Sequence, residues 1–440
     1  MQKERTGRIF GLSLPIIGGM LSQNVLNLVD TAMVGSLGNA ALAAMGLGGF
    51  ATFMLSAMLT AMGNGVQSAA SRRKGEKRTA VVASSLNAAL IMTLLLAPLW
   101  STVFYFLTDT FYPYLNSDPE VIKLGSEYLQ IRIVGITFVT ANFCFRGFWN
   151  ATDQSKVYMR TLILMHITNI FLNYVFIFGN FGAPKLGVYG AGLATTISVV
   201  LGSFIYTWMA FQRSRPEGFL RKLPSKGELK NQLSVTLNVG ITQTFFAAGL
   251  TALYWVIGKI GTAELAAANV LINVTLVAIL PAIGFGISSA TLVGQALGRK
   301  DPADANQWGW DVVKVGSMVV LAIALPMLLV PGLIIPIFID DPNTVALASM
   351  PMRLSGAFLI IDAAGMILMN AMQGAGYAKP PMFASIFLQW FLYLPLCFLV
   401  GPVLGFGLLG VWICHVCYRS LQTLVMVILW NRGHWKHAKA

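Results

Sequence analysis

The chain has 440 residues, of which 56% are hydrophobic and only 11% carry a charge. About a quarter of residues are charged in ordinary soluble domains, so this composition excludes a soluble globular protein. The formal net charge of +13 does not indicate nucleic-acid binding, because no stripe of Lys and Arg with interleaved aromatic residues occurs. The four cysteines all lie within apolar segments, which argues against an extracellular disulfide framework.

The hydropathy pattern predicts an all-α integral membrane protein with twelve transmembrane helices. A span needs about twenty mainly apolar residues, and windows of that length recur along the whole chain. They lie at 9–37, 42–69, 80–107, 121–149, 157–181, 188–212, 232–258, 265–293, 309–337, 345–373, 380–402 and 404–431. The first window is too long for the apolar core of a signal peptide, so we expect a retained helix.

Basic residues set the predicted orientation. Most of the 30 Lys and Arg residues fall near the termini, in the even-numbered loops or at the adjoining helix ends, and Arg419 is assigned to that side as well. Because such residues concentrate on the cytoplasmic face of membrane proteins, the pattern predicts that both termini are cytoplasmic.

The polar segment 213–231 divides the windows six and six. We therefore predict an amino-terminal lobe at 1–212, a cytoplasmic linker at 213–231 and a carboxy-terminal lobe at 232–440.

The two halves also resemble each other. A shift of 223 residues lays GNAALAA at 38–44 over GTAELAA at 261–267 and aligns Gly63 with Gly286. A six-helix unit keeps its orientation when it is repeated, so the lobes are predicted to be related by an axis along the membrane normal.

Asp30 lies about two-thirds of the way along the first window. A carboxylate at that depth is costly, and such residues commonly serve ion or proton pathways, although a neutral Asp bonded between helices is the alternative.

Asn169 and Asn173 share one face of the fifth helix, and Thr195 lies in the sixth. One carboxylate with neutral oxygens suits Na⁺, and a carboxyl alone suffices for H⁺, so the residues leave both ions open. Asn and Thr side chains in membrane helices also commonly form hydrogen bonds to neighbouring helices, which is the alternative role for these three residues.

Three segments resemble the multidrug and toxic compound extrusion (MATE) family of the MOP flippase superfamily. They are VDTAMVG around Asp30, residues 169–196 and QGAGYAKPPM at 373–382. The resemblance implies a V-shaped, two-lobed antiporter, not an enzyme, in the bacterial inner membrane. It would export organic, often cationic, drug-like compounds while H⁺ or Na⁺ runs inward, as a monomer with no other cofactor. The family's amino-terminal-lobe cation site corresponds here to Asp30, Asn169, Asn173 and Thr195.

The sequence departs from the family pattern in its carboxy-terminal half. Where one branch of the family carries a seventh-helix Glu, Phe246 stands here. Asp362 matches the tenth-helix acid of that branch, and it is either a second cation-coupling residue or a helix-packing acid.

Five side chains are candidates for lining the substrate chamber that the resemblance implies between the lobes. They are Gln23, Asn142, Gln243, Met20 and Met33. Methionine adapts to ligands of varied shape, although lipid-facing or core packing is the alternative for each Met.

Other chemistry is less well supported by the sequence. Cys414, His415 and Cys417 lie inside the last window without a second ligand pair, which argues against a metal site. No GxxxxGK[ST] motif occurs, so this chain alone is not expected to use ATP. His166 could relay protons or simply pack in the interior.

Two further functions remain as alternatives. A lipid-linked oligosaccharide flippase would need a cationic cavity, whereas the two intramembrane charges that the hydropathy pattern indicates, Asp30 and Asp362, are acidic. A membrane-embedded enzyme would need several catalytic residues at one depth, and the sequence indicates none.

Overall fold

The computed structural model describes residues 3–221, 223–339 and 341–438, and this part of the chain contains helices and no strands. Eleven helices are long and apolar enough to cross a membrane, and a pair bent by 49° makes a twelfth span. These spans, labelled α1 to α12 in chain order, are Lys3–Gly35, Asn39–Gly75, Thr79–Tyr114, the bent pair Pro119–Val134 and Ile136–Ala151, Ser155–Phe178, Gly187–Arg213, Lys226–Gly258, Thr262–Gly298, Pro302–Leu329, Pro342–Gly374, Lys379–Val403 and Gly407–Arg432. The prediction of an all-α protein with twelve spans is confirmed.

The outer surface of the helices is apolar. Leu28, Phe106, Phe204 and Phe391 are among many large apolar side chains that remain exposed. Soluble monomers rarely expose apolar surface on this scale, whereas lipid tails accept it. The chain is therefore a multi-pass membrane protein.

The chain folds into two compact units, which differ slightly from the predicted lobes at 1–212 and 232–440. One unit is Gly18–Gly240, and the other combines Met1–Ile17 with Ile241–Ala440. The first half of α1 thus packs with the carboxy-terminal helices, and the first half of α7 packs with the amino-terminal helices.

Arg5 anchors the start of α1 in the carboxy-terminal unit. Its Nη1 lies 2.6 Å from Asp304 Oδ1, and its Nε lies 2.7 Å from Asp311 Oδ2. The guanidinium also stacks 3.7 Å from the ring centroid of Trp308. Because Asp311 is only 4% exposed, its charge depends on this arginine.

Glu228 holds the start of α7 in the amino-terminal unit. Its Oε1 accepts hydrogen bonds from Arg73 Nη2 at 2.7 Å and from Ser84 Oγ at 2.6 Å. Glu228 lies 223 residues after Arg5, the same shift that relates the two halves of the sequence. The repeat therefore places side chains of opposite charge at equivalent positions, and each is paired within its own unit.

Close helix crossings follow the same repeat. An ideal Cβ on Gly63 of α2 would lie 2.4 Å from the carbonyl oxygen of Phe143, and one on Gly147 of α4 would lie 2.1 Å from the carbonyl oxygen of Gly63. In the other half, a Cβ on Gly286 of α8 would lie 2.9 Å from Asn370 of α10, the residue 223 positions after Gly147. Equivalent helices thus meet at equivalent points, which agrees with the repeat.

We predict that Arg5→Ala lowers the stability of the protein by about 3 kcal/mol, because it leaves the Asp311 carboxylate buried without its partner. The measurement is the apparent melting temperature of the purified protein in detergent. Lys3→Ala is the control, since Lys3 is exposed on the same first turns of α1. Equal melting temperatures for the two variants would contradict the prediction.

Candidate functional site

The candidate site is a cluster of polar side chains from three helices of the amino-terminal unit. Asp30 lies in the last third of α1, and Asn169 and Asn173 lie about one turn apart on α5. Thr195 lies in the third turn of α6. Both asparagines are buried, and Asp30 and Thr195 are half-buried.

The structure brings these four predicted residues together in one hydrogen-bonded chain. Asn173 Nδ2 donates to Asp30 Oδ1 at 2.6 Å and to Asn169 Oδ1 at 3.0 Å. Asn169 Nδ2 donates to Thr195 Oγ1 at 3.0 Å, and that hydroxyl donates to the carbonyl of Ala191 at 2.9 Å. The carboxylate of Asp30 is therefore held by a network of neutral amides within the membrane-spanning helices.

Either end of the Asn169 side-chain amide fits the position next to Asp30, because the oxygen and nitrogen of a carboxamide have nearly the same shape. In one orientation its Oδ1 faces Asp30 Oδ1, and in the other its nitrogen lies 3.1 Å from Asp30 Oδ1 while its oxygen accepts from the Thr195 backbone N–H at 3.1 Å. A protonated Asp30 can donate to the amide oxygen, whereas an ionised Asp30 can accept from the amide nitrogen. The cluster can therefore provide a hydrogen bond to either charge state.

Asn173 also carries an oxygen that is not used by the protein. The side chain is fully buried, and its Oδ1 has no hydrogen-bond partner among the residues described. An unpaired buried acceptor costs about 1–3 kcal/mol, which a bound cation or water would recover. This oxygen is thus a further ligand available next to Asp30.

Arg132 and Arg419 lie near the middle of their membrane-spanning helices, so the expectation that the intramembrane charges are all acidic is wrong. Arg132 lies just before the bend of α4, and its charge acts on Asp30. Arg419 lies near the middle of α12, not at a cytoplasmic helix end as its place in the hydropathy pattern suggested. Long apolar windows conceal a single arginine, because one charge barely changes the average over about twenty residues.

Gln23, predicted to contact substrate, belongs to a polar strip on α1 that also includes Ser22 and Asn27. Gln23 Nε2 donates to Asn27 Oδ1 at 3.1 Å, and Gln23 Oε1 lies 3.1 Å from His166 Nε2. The other ring nitrogen of His166 lies 3.1 Å from Ser22 Oγ. The spacing of 23, 27 and 30 on one helical face was the sequence signal that could have identified Asn27.

Asn142 is engaged in packing between helices α4 and α6. Its Nδ2 donates to the carbonyl of Val199 at 3.0 Å, and its Oδ1 accepts from Ser203 Oγ at 2.7 Å. Both ends of the amide are therefore occupied within the amino-terminal unit. Gln243, the other predicted polar lining residue, is half-buried in the part of α7 that belongs to the carboxy-terminal unit.

Met20 and Met33 are both half-buried on α1, on either side of the polar strip. The carbonyl of Met20 accepts from Asn24 Nδ2 at 3.0 Å, and the carbonyl of Met33 accepts from Ser36 Oγ at 2.7 Å. Met33 also packs against the buried apolar cluster that contains Val34. Met33 thus contributes to packing, and neither thioether is fully buried.

Asp362 of α10 has a different environment from Asp30. It forms an ion pair with Arg419 of α12, and the two side chains are only 13% and 15% exposed. Phe246 of α7 is exposed and supplies no second acid. The acid of the carboxy-terminal unit therefore already has a cationic partner within the protein.

The segment with Cys414, His415 and Cys417 does not gather ligands for a metal ion. In the described ranges no group of three or more His, Cys, Asp or Glu side chains could hold one. His415 Nδ1 instead lies 2.9 Å from the hydroxyl of Tyr393.

The sequence and the fold were compared with known proteins. The family model MatE matches residues 15–175 and 239–399. A probable multidrug resistance protein NorM from Thermotoga maritima is 26% identical over 438 residues, covering 97% of this chain and 92% of that protein. The multidrug resistance protein NorM of Burkholderia vietnamiensis is 28% identical over 437 residues, with 97% and 93% covered.

Solved structures show the same fold. An outward-facing multidrug resistance MATE family transporter of the MOP superfamily has a TM-score of 0.90 at 24% identity, covering 99% of this chain and 97% of that one. A MOP superfamily transporter from Pyrococcus furiosus, described as having a binding pocket of reverse polarity, has a TM-score of 0.88. Because the family model covers most of the chain in two matching halves, this protein belongs to the MATE family.

Proposed function

We propose that the protein is a secondary active antiporter that exports organic, often cationic, compounds while protons move inward. We place it in the bacterial inner membrane with both termini in the cytoplasm, following the distribution of Lys and Arg. The observation that carries the proposal is Asp30 within a membrane-spanning helix, where it is bonded to neutral amides and not to a cationic side chain. A carboxyl in such a setting can change its charge without breaking an ion pair.

Coupling in this proposal is a competition for one negative charge. With the site open to the outside, Asp30 takes up a proton, the Asn169 amide turns its oxygen toward the new O–H, and the attraction for a cationic substrate is lost. With the site open to the inside, Asp30 releases the proton and becomes attractive to the next substrate. The cycle transports because the two conformations differ in affinity for proton and substrate.

We place substrate near the same charge. Gln23 is an exposed polar residue of the strip on α1, and Met20 and Met33 flank it with adaptable apolar surface. Gln243 remains a proposed contact on α7, whereas the amide of Asn142 is already engaged in helix packing.

Two observations bear on the coupling ion. Arg132 acts on Asp30 and disfavours the addition of any cation to the carboxylate, a proton as well as Na⁺. The free Asn173 Oδ1 and the Thr195 hydroxyl favour Na⁺, because a sodium ion needs several oxygens at once. With only one carboxylate in the cluster, we propose the proton and treat Na⁺ as the alternative.

We predict that Asp30→Asn abolishes active efflux, because asparagine keeps the shape of the side chain but cannot exchange a proton. The measurement is export of a fluorescent organic cation from cells that lack their own efflux pumps, normalised to protein level. Asp109→Asn is the control, since Asp109 is exposed and its described hydrogen bonds come only from Gln130. Efflux at the wild-type rate by the Asp30 variant, with the control also active, would refute the proposed mechanism.

We predict that Asn173→Ala and Thr195→Ala retain partial, proton-driven efflux, because a proton needs the carboxyl but not the surrounding oxygens. Efflux should fall as the external pH rises, since fewer Asp30 carboxyls are then protonated from outside. The assay uses proteoliposomes with separately imposed H⁺ and Na⁺ gradients. Thr168→Ala, which removes a hydroxyl that bonds only its own helix, is the control.

The opposite result would assign the site to sodium. If wild-type efflux follows external Na⁺ at constant pH, and if both alanine variants lose it while Thr168→Ala keeps it, the proton assignment is wrong. The antiport proposal itself would stand in that case, because Asp30 would remain the exchanging group.

A further inference from the structure

We propose that Arg419 is a tethered counter-ion that permanently neutralises Asp362, so that the carboxy-terminal unit exchanges no ion and each transport cycle moves a single cation through Asp30. The inference rests on the proposed function for its consequence, the one-ion cycle. The pairing itself, in which the Asp362 carboxylate is occupied by the Arg419 guanidinium, can be tested without measuring transport.

The ion pair of Asp362 and Arg419 lies well inside its two helices and is largely buried. Asp362 lies in α10, Arg419 lies near the middle of α12, and both belong to the unit that includes Ile241–Ala440. The guanidinium contacts the carboxylate directly, and both side chains are largely buried. Either charge alone would be costly within the bilayer, and pairing removes most of that cost for both.

The arginine is held in place from its other side. Arg419 Nη1 donates to Gln422 Oε1 at 2.7 Å, and Gln422 Nε2 donates to Ser385 Oγ of α11 at 2.9 Å. Thr423 Oγ1 donates at 3.0 Å to the carbonyl of Ile361, the residue before Asp362. These bonds connect α10, α11 and α12 around the pair, and the first of them holds the guanidinium directly.

Arg419 cannot become neutral by losing a proton. A guanidinium keeps its charge throughout the physiological pH range. A proton or Na⁺ that bound Asp362 would therefore release an uncompensated positive charge into the membrane interior, where no described side chain is placed to neutralise it other than Asp362 itself. Ion exchange at this position is unfavourable for electrostatic reasons.

The contrast with Asp30 identifies which acid can exchange an ion. Asp30 accepts its hydrogen bond from Asn173, a neutral amide. Asp362 is bonded to a fixed positive charge. The two units thus hold one exchanging and one non-exchanging acid, which gives a single coupled ion per cycle.

The first test compares neutralising one partner with neutralising both. Asp362→Asn should lose most efflux, because Arg419 is left as an unpaired charge. Asp362→Asn combined with Arg419→Gln should regain efflux that is driven by the same gradient as in the wild type. Arg432→Gln, at the exposed end of α12, is the control for removing a positive charge. A folded double variant that cannot couple efflux to an ion gradient would overturn the proposal.

The second test measures ion binding directly and does not depend on transport. In an Asp30→Asn background at constant pH, Na⁺ should leave the melting temperature in detergent unchanged as long as Arg419 is present. Adding Arg419→Gln should create an ion-dependent stabilisation, and adding Asp362→Asn should remove it. Ion-dependent stabilisation through Asp362 while Arg419 is intact would refute the proposal, even if Asp30 also proved not to couple transport.

Discussion

The cost of placing a charge among lipid tails is the constraint on which the rest of this structure depends. Each ionisable side chain within the spans must find a partner, reach water or change its charge. Asp362 is paired with Arg419, and Asp30 is bonded to amides that suit both of its charge states. The same energetic rule thus produces a static ion pair in one unit and a candidate switch in the other.

The repeat explains why the two units can differ in this way. A duplicated six-helix segment preserves the crossings at Gly63 and Gly286, where the absence of a side chain lets helices approach closely. Polar positions are not bound by that packing. Arg5 and Glu228 stand 223 residues apart with opposite charges, and each is satisfied by partners of opposite sign in its own unit. Packing is therefore conserved between the halves while the chemistry has diverged.

The candidate site also shows how neutral side chains can support a change of charge. Carboxamides offer both a donor and an acceptor, so a carboxamide beside Asp30 can serve either charge state of the carboxyl. A hydrogen bond to a charged group contributes about 1.5–3 kcal/mol, so a mismatch at Asp30 would be large enough to bias nearby helix packing. Arg132 adds a positive charge close by and thereby raises the cost of a second cation.

The sequence by itself determined the twelve spans and the repeat, because hydropathy and helical spacing are local properties. The cluster of Asp30, Asn169, Asn173 and Thr195 was indicated by the resemblance to a known family, since these residues lie on three different helices. Only the tertiary structure decided what Asp362 and Asn142 contact, since their partners Arg419 and Ser203 lie about 60 residues away on other helices. It also assigned the first half of α1 to the carboxy-terminal unit and the first half of α7 to the amino-terminal unit. Those outcomes depend on which helix faces meet, and no periodicity within a single helix specifies that.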